Sequence, residues 1–378
     1  MWLGDNLKKI IIIVVVLVLV FASIGLISNN SNLFSLGKNN KVKIGYIGPL
    51  TGPVANIGIS VKNSIDLANY QNNNIFEIIY EDGKCNPVDA VNAAKKLIEI
   101  DNIDIIISGA CSSSILAIAP LTEENKIIHI TPVAGSPLVA KSGEYVYRVS
   151  TSSDVLAANT AKVVYEKGAR KVGVIFELND YPVGWKQVFK REFEKLGGKV
   201  IIEEGFTFGS NDTKIQLIKL NAQDIDSIVM STVSATSAIK LAKESKELGI
   251  EKRLIGAETF TLTQTIRNAK SNLDGFFAAD YSYPKKSKQF QQFVLDYNVY
   301  TRNELLEELF GAIAYDMYDL LLEGVNVCGK DSLCIKSYFD NAGKRSGVAG
   351  EYYFDEDGSA IREVVLRKFE NGKFILVN

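Results

Sequence analysis

Three short stretches carry the side chains best suited to hold a charged small molecule. Ser112, Ser113 and Ser114 follow a predicted strand and open a predicted helix. There, unpaired backbone N–H groups and the positive end of the helix dipole suit a carboxylate, and the hydroxyls add donors. Glu258 closes a later predicted strand, in Gly-Ala-Glu, where it can balance an ammonium. Tyr181, in Asn-Asp-Tyr-Pro, can lie over a ligand or pack a turn. Each feature also has an ordinary use: serine is a common helix cap, and an acid at a strand end is commonly solvated. Other chemistry is poorly supplied. No G-x-G-x-x-G follows the first strand and no nucleophile elbow or acid–base pair stands out, so neither an enzyme nor a nucleotide cofactor is expected. His129, the sole histidine, lies in the apolar run Ile127 to Ile130 and reads as a buried strand residue. Cys85, Cys111, Cys328 and Cys334 include no C-x2-C pair, so no metal is expected. An even cysteine count fits two disulfides in an oxidising compartment, with three pairings open and Cys328-x5-Cys334 able to close a local loop.

The elements that must position these residues alternate. Val42 to Ile47 reads as a strand, Val61 to Tyr70 as a helix, Phe76 to Tyr80 as a strand, Pro87 to Ile100 as a helix and Ile103 to Ser108 as a strand. Ser114 to Glu124 (helix) and Ile127 to Ile130 (strand) continue the order. A second set begins after Ser150: strands at Val172 to Phe176, Val200 to Glu204, Ile225 to Met230 and Arg253 to Gly256 follow helical patterns at Asp154 to Gly168, Gly184 to Leu196, Thr213 to Leu220 and Ser234 to Leu248. This βαβ alternation predicts two doubly wound α/β halves with parallel sheets. A helix at Leu305 to Glu323 and a hairpin over Glu351 to Asn378, with turns at Asp357-Gly358 and Asn371-Gly372, close the chain. Ligands of such sheets sit beyond the C-terminal strand ends. That rule selects the loops Gly48 to Gly58, Gly109 to Ser114, Thr131 to Pro137 and Gly256 to Glu258.

The 378 residues, 47% hydrophobic and 23% charged, suffice for two cores, and 42 basic against 44 acidic residues leave a net charge of −2, too little positive charge for a nucleic-acid partner. Ile10 to Ile27 is an uncharged apolar run, about 27 Å long as a helix, which matches a bilayer core. Lys8 and Lys9 before it predict a cytoplasmic N-terminus over residues 1–9 and an exported body. The run is long for a signal peptide, no small-x-small cleavage site follows, and no cysteine follows for lipid attachment, so the length favours a retained anchor; either reading exports the body. Residues 28–40, rich in Asn and Ser, read as a flexible linker.

Beyond position 41 the sequence resembles the periplasmic branched-chain amino-acid-binding proteins, type I solute-binding proteins of ABC transporters. The resemblance is carried in order by Lys43-Ile-Gly-Tyr-Ile-Gly-Pro-Leu-Thr-Gly-Pro, Tyr80-Glu-Asp-Gly-Lys-Cys-Asn-Pro-Val-Asp-Ala, Cys111-Ser-Ser-Ser with Ile130-Thr-Pro, Ala314-Tyr-Asp-Met-Tyr and Gly350-Glu-Tyr-Tyr-Phe-Asp-Glu-Asp-Gly. It implies two Rossmann-like lobes joined by three crossings, with the ligand in a cleft that closes by hinge motion. Lobe one is expected to comprise 41–151 plus 282–345, and lobe two 152–281 plus 346–378. By the same resemblance Ser112 meets a ligand carboxylate, Glu258 its ammonium, and the Val133 carbonyl also accepts from that ammonium. Tyr181 and Phe310 wall the cleft, and Cys85 pairs with Cys111; Cys328 and Cys334 then form the second expected bridge. Two departures bear on the ligand. Gly135 stands where a threonine commonly binds both ends of the amino acid, with Ser136 beside it as a substitute, and Ile57 stands where an aromatic often covers the side chain.

The expected function is therefore that of a membrane-anchored, extracytoplasmic binding protein that delivers a small aliphatic amino acid to ABC permease subunits. Amides or urea are the alternative ligands. A sensory ectodomain is the alternative role, and with nine residues ahead of the apolar run and none after Asn378 it is expected to need a signalling partner.

Overall fold

In the computed structural model, which describes residues 41–355 and 358–377, the β-branched runs of the first third form one parallel sheet. Its strands are Val42–Gly48 (β1), Phe76–Asp82 (β2), Ile105–Ser108 (β3), Ile128–Thr131 (β4) and Val146–Arg148 (β5), in the order β2-β1-β3-β4-β5. The connecting helices are Ala55–Gln71 (α1), Pro87–Glu99 (α2) and Ser112–Glu124 (α3). β3 and β4 are buried along their whole length, as continuous apolar strands covered on both faces must be. His129 lies in that layer, its Nε2 2.7 Å from the Ser108 hydroxyl, and burial depresses its pKa to about 3.

The chain leaves this sheet through residues 149–152 and builds a second. Ser153–Glu166 (α4), Lys171–Leu178 (β6), Asp180–Lys195 (α5), Lys199–Thr207 (β7), Lys214–Asn221 (α6), Ser227–Ser231 (β8), Ala235–Glu247 (α7), Arg253–Gly256 (β9), Thr263–Ala269 (α8) and Phe277–Tyr281 (β10) alternate. Residues 282–287 return to the first unit, where Lys288–Thr301 (α9), Glu308–Cys328 (α10) and Ser332–Asp340 (α11) follow. α10 packs along α1, and Tyr318 donates to Asn69 Oδ1 at 2.9 Å. The third passage carries the small strands Arg345–Gly347 (β11), Gly350–Phe354 (β12) and Ala360–Ile361 (β13), then Val364–Glu370 (β14) and Lys373–Leu376 (β15). The last two extend the second sheet to β15-β14-β10-β9-β8-β6-β7, with β14 antiparallel to β10.

Two expectations need correction, and two strands were missed. The helix expected from Leu305 begins at Glu308, because Asn298 Oδ1 accepts the Leu305 N–H at 2.9 Å and holds it in the loop, and it runs on to Cys328. The hairpin expected over Glu351 to Asn378 is two structures. Gly350–Phe354 pairs with Arg345–Gly347 and Ala360–Ile361, and only β14 and β15, turning at Asn371-Gly372, form the terminal hairpin. β5 was not anticipated because it is three residues long, nor β10 because Phe-Ala-Ala-Asp-Tyr has no clear period. The anchor segment 10–27, its flanks 1–9 and 28–40, and the Asp357 half of a predicted turn lie outside the described residues, among which no helix is long and apolar enough to cross a membrane.

The disulfides pair as expected. Cys85–Cys111 joins the turn after β2 to the start of α3 across 26 residues, and Cys328–Cys334 ties the end of α10 to α11 across six. Closing the longer loop removes more unfolded-state entropy, about 3.5 kcal/mol against about 2.3 for the shorter. Replacing Cys85 and Cys111 by serine should therefore cost more stability than replacing Cys328 and Cys334; urea unfolding of the two double variants checks the order.

Candidate functional site

Each sheet reverses its strand order beside its first strand, which opens a crevice beyond the carboxyl ends of β1 and β3 in one lobe and of β6 and β8 in the other. The two crevices face each other. Between them lies a cavity of about 50 Å³.

The first lobe brings hydroxyl and backbone N–H donors to the cavity. Tyr46, fully buried on β1, packs beneath the loops after β1 and β3; a Cβ at Gly48 or Gly109 would meet its hydroxyl at 2.3 or 2.1 Å, so only glycine lets both loops settle on the ring. That places Cys111 and Ser112, the start of α3, at the cavity. Ser112 Oγ accepts the Ser136 N–H at 3.1 Å and keeps its own O–H to donate. The leading N–H groups of α3 have no partner within the helix. Ser136 is held from behind: its carbonyl accepts from Arg148 Nη1 at 2.8 Å, while Arg148 Nη2 donates to Ser359 Oγ at 2.6 Å. This arginine, 1% exposed, binds the Thr131 to Pro137 loop to the third crossing.

The second lobe brings a buried carboxyl to the cavity. Glu258 follows β9 and is 8% exposed. Tyr181 at the start of α5 donates to its Oε1, and Oε2 has no partner among the described residues. Loss of solvent pushes this carboxyl up to about 7, against the lowering effect of the Tyr181 bond. Asn179 Oδ1, also at the cavity, has no partner either. Apolar walls separate the two ends: Val54, Ile57, Val133 and Phe310 from one lobe, Val233 from the other.

Gly135 has a structural reason. A Cβ there would stand 2.8 Å from Tyr181 Cε2 and 3.0 Å from Cδ2, so the ring occupies the space a larger residue would need. The lobes also meet at Ser153 N–H to the Gly135 carbonyl (2.8 Å), Asn56 to Gln264 (2.6 Å) and Arg267 to Glu304 (2.7 Å). The cleft is closed.

Of the residues expected at the site, Ser112, Val133, Gly135, Tyr181, Glu258, Ile57 and Phe310 come together around the cavity, with Cys111 of the disulfide. Ser113 and Ser136 do not line it; successive helical residues diverge by about 100°, and Ser136 is turned to Arg148. Asn179, Val233, Thr259 and Tyr281 were missed. Val233 and Tyr281 obey the strand-end rule that selected the other loops, but Tyr281 ends a strand that the pattern did not disclose.

Residues 41–373 match the family model described as periplasmic binding protein. A leucine-, isoleucine-, valine-, threonine- and alanine-binding protein of Pseudomonas aeruginosa is 23% identical over 76% of this chain and 79% of its own. Several other amino-acid-binding relatives align over 59–61% of their length. A leucine binding protein of Thermotoga maritima superposes with a TM-score of 0.81 at 26% identity, over 89% of this chain and 98% of that one. A solute binding protein of R. palustris in complex with benzoate also reaches 0.81, at 18% identity over 89% and 96%, a likeness of fold alone.

Arg148→Met should destabilise the protein by about 2–4 kcal/mol, since it removes the guanidinium donors to the Ala134 and Ser136 carbonyls and to the Ser359 hydroxyl. Urea unfolding measures the loss.

Proposed function

The chain belongs to the periplasmic binding protein family, and from that premise we propose that it is an extracytoplasmic receptor for a small zwitterionic amino acid with an aliphatic, branched-chain-like side chain, delivered to the permease of an ABC importer. The observation that carries this reading is Glu258: a buried carboxylate with one oxygen held by Tyr181 and the other without a partner among the described residues at the cavity. An ammonium there restores what burial removed, and the start of α3 opposite accepts the carboxylate. The apolar walls carry no charge for a side chain to pair, which favours leucine, isoleucine or valine over arginine or glutamate. Binding at both lobes at once couples occupancy to hinge closure.

Within this reading residues 41–151 with 282–345 act as one lobe and 152–281 with 346–378 as the other. The apolar run 10–27 tethers the body to the membrane. An aromatic acid such as the benzoate bound by the R. palustris protein is the less suitable ligand, because it satisfies the carboxylate end and leaves Glu258 buried without a cation. Neutral amides and urea share that defect, although Gly135 lacks the threonine hydroxyl that the amino-acid resemblance implies. A sensory role through a partner would use the same cleft.

Calorimetry of the full chain with leucine tests the ligand class. Glu258→Gln should weaken leucine at least about tenfold, equal to about 1.4 kcal/mol. Equal affinity in the variant, or binding of benzoate or urea without any amino acid, overturns the proposal. Gly135→Ala should also weaken leucine, since its Cβ displaces the Tyr181 ring, and adding Tyr181→Leu should remove the extra loss; additive effects would mean that the two residues do not meet.

A further inference from the structure

Beside the cleft, bounded on that side by Glu258, Tyr281 and Phe310, lies a second chamber of about 30 Å³ that both lobes wall. Glu258 and Asp280 face it from one lobe, and Glu307 and Glu308 from the other, just before and at the start of α10. Four carboxylates thus share a small space with two committed cations at its edge. Arg367 pairs with Asp280 at 3.1 Å and Lys285 with Glu308 at 3.1 Å, where Tyr283 also donates to Glu308 at 3.4 Å. Glu258 belongs to the ligand site. Glu307 is left over.

Its side chain is 2% exposed, and Oε1 has no partner among the described residues. Thr263 of the opposite lobe lines the same chamber. Arg267 on α8 is taken by Glu304 and reaches Glu307 only through space, while Glu308 beside it repels. A carboxylate buried without a cation must be paired or neutralised. No group of three or more acidic, histidine or cysteine side chains among the described residues is arranged to hold a metal ion. A proton is the remaining neutraliser.

We propose that this chamber is a proton-binding site, filled on Glu307 when the lobes close Thr263 over it, so that closure of the cleft takes up a proton. In support, burial pushes the Glu307 carboxyl up to about 8 from an ordinary 4.5. Between those two values the closed form holds a proton that the open or unfolded chain lacks. Closure therefore weakens by about tenfold per pH unit as pH rises from about 4.5 to about 8, and levels off above. The inference rests on the closing-cleft reading of the site, not on which solute fills it.

The test compares thermal melting of the full chain and Glu307→Gln from pH 5 to 9. Wild type should lose about 2 °C per pH unit relative to the variant up to about pH 8, with a constant difference beyond. Glu304→Gln, which breaks only the rim pair with Arg267, should shift melting by a pH-independent amount. A constant difference between wild type and Glu307→Gln across the whole range overturns the proposal. So does a wild-type melting point at pH 8 that rises in sodium or potassium chloride over choline chloride while that of Glu307→Gln does not, since the chamber would then take an alkali cation. Calorimetry with leucine in two buffers of different ionisation heat should register one more proton taken up by wild type than by the variant; titration of Glu258, common to both, cancels. Absence of leucine heat strikes the proposed ligand alone and leaves the melting curves to decide.

Discussion

The site is organised around the removal of water from one carboxylate. Glu258 loses most of its solvent, gains a hydroxyl donor from Tyr181 and has one oxygen without a partner among the described residues at the cavity. An isolated charge in that position is costly, and the surrounding packing keeps it there. The Tyr181 ring reaches Glu258 while resting on Gly135 of the opposite lobe, so the donor that steadies the acid belongs also to the interlobe contact. The polarity of the cleft and the closeness of the lobes are one arrangement.

Arg148 has the corresponding role on the other side. It is buried at the edge of the first sheet, and its guanidinium binds the loop that carries Val133, Gly135 and Ser136 to Ser359 in the third crossing. The backbone adds to this, with Arg148 N–H donating to the Gly358 carbonyl at 2.9 Å. A rotation between lobes is thereby referred to a fixed point next to the ligand-facing loop.

How much was legible follows from the range of each signal. The βαβ alternation and the rule that ligands meet the carboxyl ends of strands led to Ser112 and Glu258, because both depend on local pattern, while Tyr181 stood out only in its Asn-Asp-Tyr-Pro context. Gly135 was noticed only as a departure; its cause is a ring from another lobe, which no local pattern encodes. Ser113 and Ser136 were attractive by type, but helix rotation and the demand of Arg148 turn them from the cavity. Glu307 was not singled out, because its burial comes from the facing lobe and no local pattern encodes it; it precedes the helix that begins at Glu308. Tyr281 was lost with its strand.

The first sheet is complete at Arg148, yet α10, whose Leu309, Ile313, Met317 and Leu320 are buried, and which packs along α1, comes only after the whole second sheet up to β10. A chain made from its N-terminus at about 5 to 20 residues per second leaves α1 without its covering helix for about 12 to 50 s. The passage that returns the chain to the first unit therefore sets a schedule for maturation. The later-made lobe can close its parallel strands before the earlier one is covered, and the apolar flank of α1 stays open to whatever escorts a nascent chain until the C-terminal third arrives.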